Sequence, residues 1–187
     1  MKKVIFGLLV ACFFAGTASA QIPTFTQSDN LAGISIGFGG LYTGSGYTSK
    51  SPAISLYYEH CVVDNLWDSK SSLGIGGMLG FASAKWERPG GGGGYNHSNF
   101  FIGGRGTLHY AFVDKLDTYA GLMTGYNNVS DKQFGNTAGI PSTVPGGFCW
   151  SLFAGARYYF TESFAAFAEL NLGYYLPVMS LGISLKF

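Results

Sequence analysis

The sequence predicts an all-β chain that closes into an eight-stranded, antiparallel, up-and-down transmembrane barrel. Three observations predict it. Apolar side chains recur at every second position over segments of roughly ten residues, separated by turn-rich breaks. Glycine fills 29 of 187 positions and aromatics supply 17% of residues, while only 11% are charged. The face opposite the apolar one is small or singly charged, the reverse of what a water-soluble barrel turns outward. So low a charge content without low complexity argues against a disordered tail and against a standard cytosolic enzyme.

At the start, Lys2 and Lys3 precede an apolar run from Val4 to Phe14, and Ala18-Ser19-Ala20 gives the small-x-small pattern of signal cleavage before Gln21. Residues 1–20 therefore read as a cleaved export signal, 21–30 as an N-terminal segment and 31–187 as a single barrel domain. A rival lipoprotein reading of Leu9-Val10-Ala11-Cys12 fits less well, because Phe13 and Phe14 continue the apolar run. Losing Lys2 and Lys3 leaves nine bases against ten acids, which excludes a basic nucleic-acid surface. No later stretch offers the ~18–20 consecutive apolar residues of a membrane helix, so a membrane would be crossed by strands. Cys61 and Cys149 fall at opposite ends of this topology and are expected as free thiols, since bridged Cα atoms must lie within ~7 Å. No Cys/His spacing suggests a metal, and nothing calls for a cofactor.

The strands follow in order. Ile34, Ile36 and Phe38 alternate with small residues; Ile54, Leu56 and Tyr58 alternate with Ser55, Tyr57 and Glu59. Leu73, Ile75, Leu79 and Phe81 oppose Ser72, Gly74, Met78 and Ala82, and Phe100, Ile102, Leu108, Tyr110 and Phe112 oppose Asn99, Arg105, Thr107 and His109. Residues 118–127 are strand-like with an open phase, since neither Tyr119 with Met123 nor Leu122 with Tyr126 wins. Phe148, Trp150, Leu152, Tyr158 and Phe160 oppose Ser151 and Arg157; Phe164, Leu170, Leu172 and Tyr174 oppose Glu169 and Asn171. The last strand sets Met179, Leu181, Ile183, Leu185 and Phe187 against Ser180, Gly182, Ser184 and Lys186.

Outer loops are expected near 43–52, 87–98, 127–147 and 175–177, and inner turns near 61–71, 113–117 and 161–163, the pattern of long outer loops and mostly short inner turns. Pro52, Pro89, Pro141, Pro145 and Pro177 fall in or beside loops, where a missing N–H spares the ladder. An eight-stranded barrel is just wide enough inside for side chains, so the small and polar face fits the lumen and the apolar face must meet lipid. Tyr42, Trp86, Trp150 and Tyr174 lie at the expected outer rim and suit an aromatic girdle.

By parity four ionised residues face the lumen: Glu59, Arg105, Arg157 and Glu169. Two acids against two bases read as a charge network plugging the lumen, with a gate along a narrow solute path as the functional alternative. Of the histidines, His97 sits at a loop edge without an obvious acid on its face, and His109 points inward beside Thr107 and Arg105. Neither forms a triad with a nucleophile, so no catalytic residue is expected. The Gly90–Gly94 run lacks the following Lys-Ser/Thr of a phosphate loop and reads as an outer loop.

The stretch Gly155-Ala156-Arg157-Tyr158-Tyr159-Phe160-Thr161-Glu162, followed by Phe167-Ala168-Glu169-Leu170-Asn171-Leu172-Gly173, resembles the late hairpin of OmpA/OmpX-type outer-membrane β-barrels. The ending on Phe187 after Leu181, Ile183 and Leu185 resembles the C-terminal signal read by the barrel-assembly machinery. The resemblance implies a bacterial outer-membrane location, with outer-membrane lipid and lipopolysaccharide, the barrel-assembly machinery and a surface ligand at the outer loops as partners. No residues are left for the periplasmic peptidoglycan-binding domain of full-length OmpA-type proteins. Members of such families differ in role, so the expectation is an envelope-structural or surface-interaction protein, with a narrow porin-like channel as the alternative.

Overall fold

A computed structural model describes residues 25–40, 46–137 and 146–187. The export signal, Cys12, Tyr42, Pro141 and Pro145 lie outside these described residues. The strands are β1 (Asn30–Phe38), β2 (Tyr47–Lys50), β3 (Ala53–Asp64), β4 (Ser71–Glu87), β5 (Gly93–Val113), β6 (Leu116–Gly135), β7 (Gly147–Tyr159), β8 (Phe164–Tyr174) and β9 (Met179–Lys186).

From β3 to β9 each strand pairs antiparallel with the next, and β1 bridges β3 and β9, so eight strands close a ring with β2 as an addition. The seam runs from Leu31 opposite Lys186 to Phe38 opposite Met179, and Asn30 and Phe187 exchange backbone hydrogen bonds at its end. Closure matters because hydrocarbon cannot satisfy an open edge. The short strand β2 continues the line of β3 along β4, from Tyr47 opposite Trp86 to Lys50 opposite Ala84. Pro52 lies in the break between them, and Ser51 bridges it by donating its N–H to the Ser83 carbonyl and accepting the Ser83 N–H on its hydroxyl.

The alternation falls as the sequence predicts. Ile34, Ile36, Ile54, Leu56, Ile75, Ile102, Leu152 and Leu181 are all exposed on the outside, whereas Ser35, Ser55, Thr107, Ser151, Ser180 and Ser184 are buried within. An apolar band running round a closed sheet requires hydrocarbon as its solvent. The open phase of 118–127 is settled: Tyr119 and Met123 are buried inside, Leu122 and Tyr126 exposed outside.

Two loop expectations are corrected. Residues 93–98 belong to β5 and 127–135 to β6, paired from Gly93 opposite Gly135 down to Val113 opposite Leu116. Polar residues such as Asn96, Ser98, Ser130 and Lys132 look like loop in a hydropathy pattern, yet a ladder standing in water needs no apolar face. Between β4 and β5 only 88–92 turn, with Gly90, Gly91 and Gly92 all at positive φ, where glycine alone carries no Cβ penalty. On the inner side, Ser71 accepts the N–H groups of Trp67 and Asp68 to fix the 65–70 turn. There the Lys70 backbone N–H, with help from the Tyr110 hydroxyl, holds the exposed Asp68 carboxyl below its usual range.

Candidate functional site

The interior is built from large side chains that lie over glycines of neighbouring strands. A Cβ on Gly33 would stand 2.3 Å from the Tyr57 ring, one on Gly80 2.2 Å from Phe101, and one on Gly121 2.5 Å from Phe153. Gly155 makes the same room for Tyr119, Gly182 for Phe167 and Gly74 for the Glu59 carboxylate. Tyr57, Phe101, Tyr119, Phe153 and Phe167 are buried inside, because paired glycines give a narrow barrel space for them. Tyr57 thus lies on the face that the alternation gives it, while the alternation left the phase of Tyr119 open and assigned Phe101, Phe153 and Phe167 to neither face.

The structure places all four ionised residues named from parity in this interior: Glu59 and Arg157 at 0% exposure, Glu169 at 3% and Arg105 at 4%. Arg105, on β5, reaches across the lumen to β8, its Nη2 3.0 Å from Glu169 Oε2. Its guanidinium also lies 4.2 Å from the Phe153 ring centroid and 5.2 Å from that of Tyr57. Arg157 Nη1 meets Asp117 Oδ2 at 2.8 Å, and its Nη2 donates to the Tyr57 hydroxyl at 3.3 Å.

Asp117 is the residue that the sequence reading missed. It was placed in an inner turn, but it is the second residue of β6, register partner of Arg157 and fully buried. Its inward parity follows from the phase of Tyr119, which the alternation alone left open. The two-acid, two-base balance is corrected accordingly. His109 Nδ1 lies 2.9 Å from Asp117 Oδ2 and its Nε2 2.9 Å from Glu59 Oε1. Ionised carboxylates only accept and a neutral imidazole donates from one nitrogen, so this triad needs a second imidazole proton to make both bonds. Glu59, Asp117 and Glu169 then face Arg105, Arg157 and an imidazolium, and the charges cancel. Glu59 reaches His109 past β4 because Gly74, beneath it, has no side chain. Phe25, ahead of β1, covers the inner end with its ring centroid 4.6 Å from that of His109.

His97 is also corrected. It lies within β5, buried, and its register partner on β6 is Asp131, whose carboxylate contacts Nδ1. The acid comes from a segment that reads as loop, so no local pattern reveals it. At the rim, Trp150 and Tyr174 are exposed cross-strand partners on the lipid face, joined by the Tyr126–Phe148 pair. Trp86 departs from the girdle. It shares the inward parity of Ala82 and Ala84, and its ring faces Tyr95 at 6.3 Å between centroids. At the inner end a second aromatic set, Trp67, Phe112, Phe160 and Phe187, is exposed; the alternation places the last three on the apolar face singly, without grouping them as a girdle. Leu181, Ile183 and Leu185 project outward along the seam strand β9, and Phe187, just past its end, is exposed.

Cys61 and Cys149 are free and buried. Among the described residues no group of three or more His, Cys, Asp or Glu side chains is placed to hold a metal ion.

No protein-family model matches the chain, and no curated protein matches it. Solved structures do. Ail, the attachment invasion locus protein of Yersinia pestis, in complex with the heparin analogue sucrose octasulfate, is similar with a TM-score of 0.53 and 13% identity over 87% of this chain and 100% of that one. The outer membrane protein OprG from Pseudomonas aeruginosa is similar with a TM-score of 0.50 and 10% identity, over 89% of this chain and 99% of its own. The chain has the fold of the small outer-membrane β-barrels. At such low identity that kinship is one of architecture: the ring of eight strands is shared, and the interior described above belongs to this sequence.

Proposed function

We propose that this chain is a non-enzymatic integral protein of the bacterial outer membrane, exported by residues 1–20, with a closed lumen and a role in envelope structure or surface interaction. The observation that carries the closed lumen is the pair of links spanning the interior. Arg105 is tied to Glu169, and a chain runs from Arg157 through Asp117 and His109 to Glu59. An unpaired charge buried in such a site costs several kcal/mol, so a balanced network has little freedom to open. The non-enzymatic reading rests on His109, whose two ring nitrogens are both taken by carboxylates, leaving none to activate a nucleophile.

The surface role rests on the protruding parts of β4, β5 and β6. Above Phe81, Phe100 and Tyr126 the outward positions turn to Ser83, Lys85, Asn96, Ser98, Asn128 and Lys132, so this sheet stands in water beyond the apolar band. Ail was solved with a sulfated saccharide analogue bound, which supports a surface ligand for a barrel of this architecture. Lipopolysaccharide and outer-membrane lipid would contact the band and its aromatic rims. Leu181, Ile183, Leu185 and Phe187 would serve the assembly machinery.

Single-channel recording of the refolded protein in a planar bilayer tests the closed lumen. The expected result is no stable unitary conductance. A steady conductance that changes on Arg157→Ala would replace this reading with a narrow channel.

A further inference from the structure

We propose that the outward face of β4, β5 and β6, just beyond the apolar band, is a docking ledge for the headgroup of an outer-leaflet glycolipid, a disaccharide carrying two separated phosphates. The proposal rests on the outer-membrane reading above and gives its lipid contact a place and a chemistry.

The ledge is built in register. The last apolar row on these strands is Ile54, Phe81 and Phe100, register partners that are all exposed on the outside. Two residues further out, Ser83 stands opposite Ser98 and Ser98 opposite Ser130, and Ser51 extends this row with its hydroxyl 3.2 Å from that of Ser83. Another two residues out, Lys85 stands opposite Asn96 and Asn96 opposite Lys132. Positions two apart on a strand are about 7 Å apart, and a headgroup layer is about 5–8 Å deep on each side of the hydrocarbon. The hydroxyl row therefore meets headgroups wherever the band meets acyl chains.

Between the two rows lies a groove of about 370 Å³, walled by Ser51, Ser83, Lys85, Asn96 and Ser98. Ala84 and His97 are buried with their side chains turned inward, so their backbone floors it. Hydroxyls and a carboxamide donate and accept, as the hydroxyls of a sugar require. The charges suit phosphate. Lys85 Nζ lies 2.6 Å from Glu87 Oε1 and 4.8 Å from the Phe134 ring centroid. An exposed ion pair of this kind contributes little, so a phosphate can displace the carboxylate. Asp131, next to Lys132, turns inward to His97, which leaves two lysines against one glutamate on this face among the described residues. Lys85 and Lys132 are two strands apart, about 10 Å between backbones. That spacing fits phosphates at the two ends of a disaccharide better than the single phosphodiester of a phospholipid. The band below holds the acyl chains, so headgroup and chains bind as one linked ligand and a free anion gains only part of the attachment.

The test is native mass spectrometry of the refolded barrel in uncharged dodecylmaltoside micelles, titrated with bisphosphorylated lipid A, with its dephosphorylated form and with phosphatidylglycerol. The expected result is a saturable one-to-one adduct with bisphosphorylated lipid A, about tenfold or more tighter than with either comparator. Lys85→Gln combined with Lys132→Gln should erase that preference, and Lys85→Arg combined with Lys132→Arg should keep it. Both lysines are on the surface, so the variants should fold, and gel mobility before and after boiling checks this. A folded barrel that takes up a comparator equally well, keeps its preference in the double Gln variant, or releases lipid A to inorganic phosphate overturns this inference and leaves the outer-membrane reading standing. A chain that stays soluble without micelles overturns both.

Discussion

Asp117 and Arg157 face each other as register partners across the β6–β7 ladder, with Arg157 Nη1 2.8 Å from Asp117 Oδ2 and both side chains fully buried. Removing either partner strands a charge in a fully buried site, so Asp117→Asn and Arg157→Met are each expected to cost about 3–5 kcal/mol. Asp117 also serves His109, which makes its loss the more damaging of the two. Glu169→Gln should cost less, because Arg105 keeps the faces of Phe153 and Tyr57. Urea unfolding in vesicles, arranged as a double-mutant cycle, measures this. A coupling near zero between Asp117 and Arg157 would contradict the geometry.

The glycines divide into two classes with opposite expected responses. Gly80 lies under Phe101, so Gly80→Val should overpack the lumen and cost about 1–3 kcal/mol. Gly106 faces outward with nothing within 4 Å of an added Cβ. Gly106→Ala should therefore be neutral, or stabilising by up to about 1 kcal/mol through a stiffer unfolded chain. The same unfolding assay ranks the two, and the reverse ranking would mean that the inward and outward assignments are exchanged.

Leu170 is 62% exposed on the outside of β8. If that outside is hydrocarbon, Leu170→Arg should destabilise the barrel by about 2–4 kcal/mol when the position lies near the midplane. In a water-soluble barrel the same change would be harmless, so a stability unaltered in vesicles would remove the lipid-facing band.

Both thiols among the described residues face inward, Cys61 on β3 and Cys149 on β7, each 0% exposed. Burial keeps reagent from both sulfurs, and neither is bridged. Folded protein should consume almost no Ellman's reagent, and the unfolded mature chain two equivalents. A single equivalent or none on unfolding would reveal a bond that this geometry does not contain.

A sequence with period two over eight segments leaves little choice of architecture. Ile34, Ile54, Ile75, Ile102, Leu152, Leu170 and Leu181 mark one face unaided, because each strand's alternation is a local property and hydrocarbon tolerates no polar row there. The inward ionised residues Glu59, Arg105, Arg157 and Glu169 followed from the same parity. Three things did not. The phase of residues 118–127 stayed open because Tyr119 and Tyr126 are equally apolar, and only pairing β6 between β5 and β7 turns Asp117 toward Arg157. The inward rings Phe101, Phe153 and Phe167 were not legible because their space comes from glycines on neighbouring strands, as Gly80 gives to Phe101. The outer reach of β5 and β6 was hidden because a polar ladder in water carries no hydrophobic signal, and with it went the meeting of His97 and Asp131. Alternation along one strand determines which solvent each face meets; which side chains meet across the lumen is decided by register and closure, which bring together residues as far apart in sequence as Arg105 and Glu169.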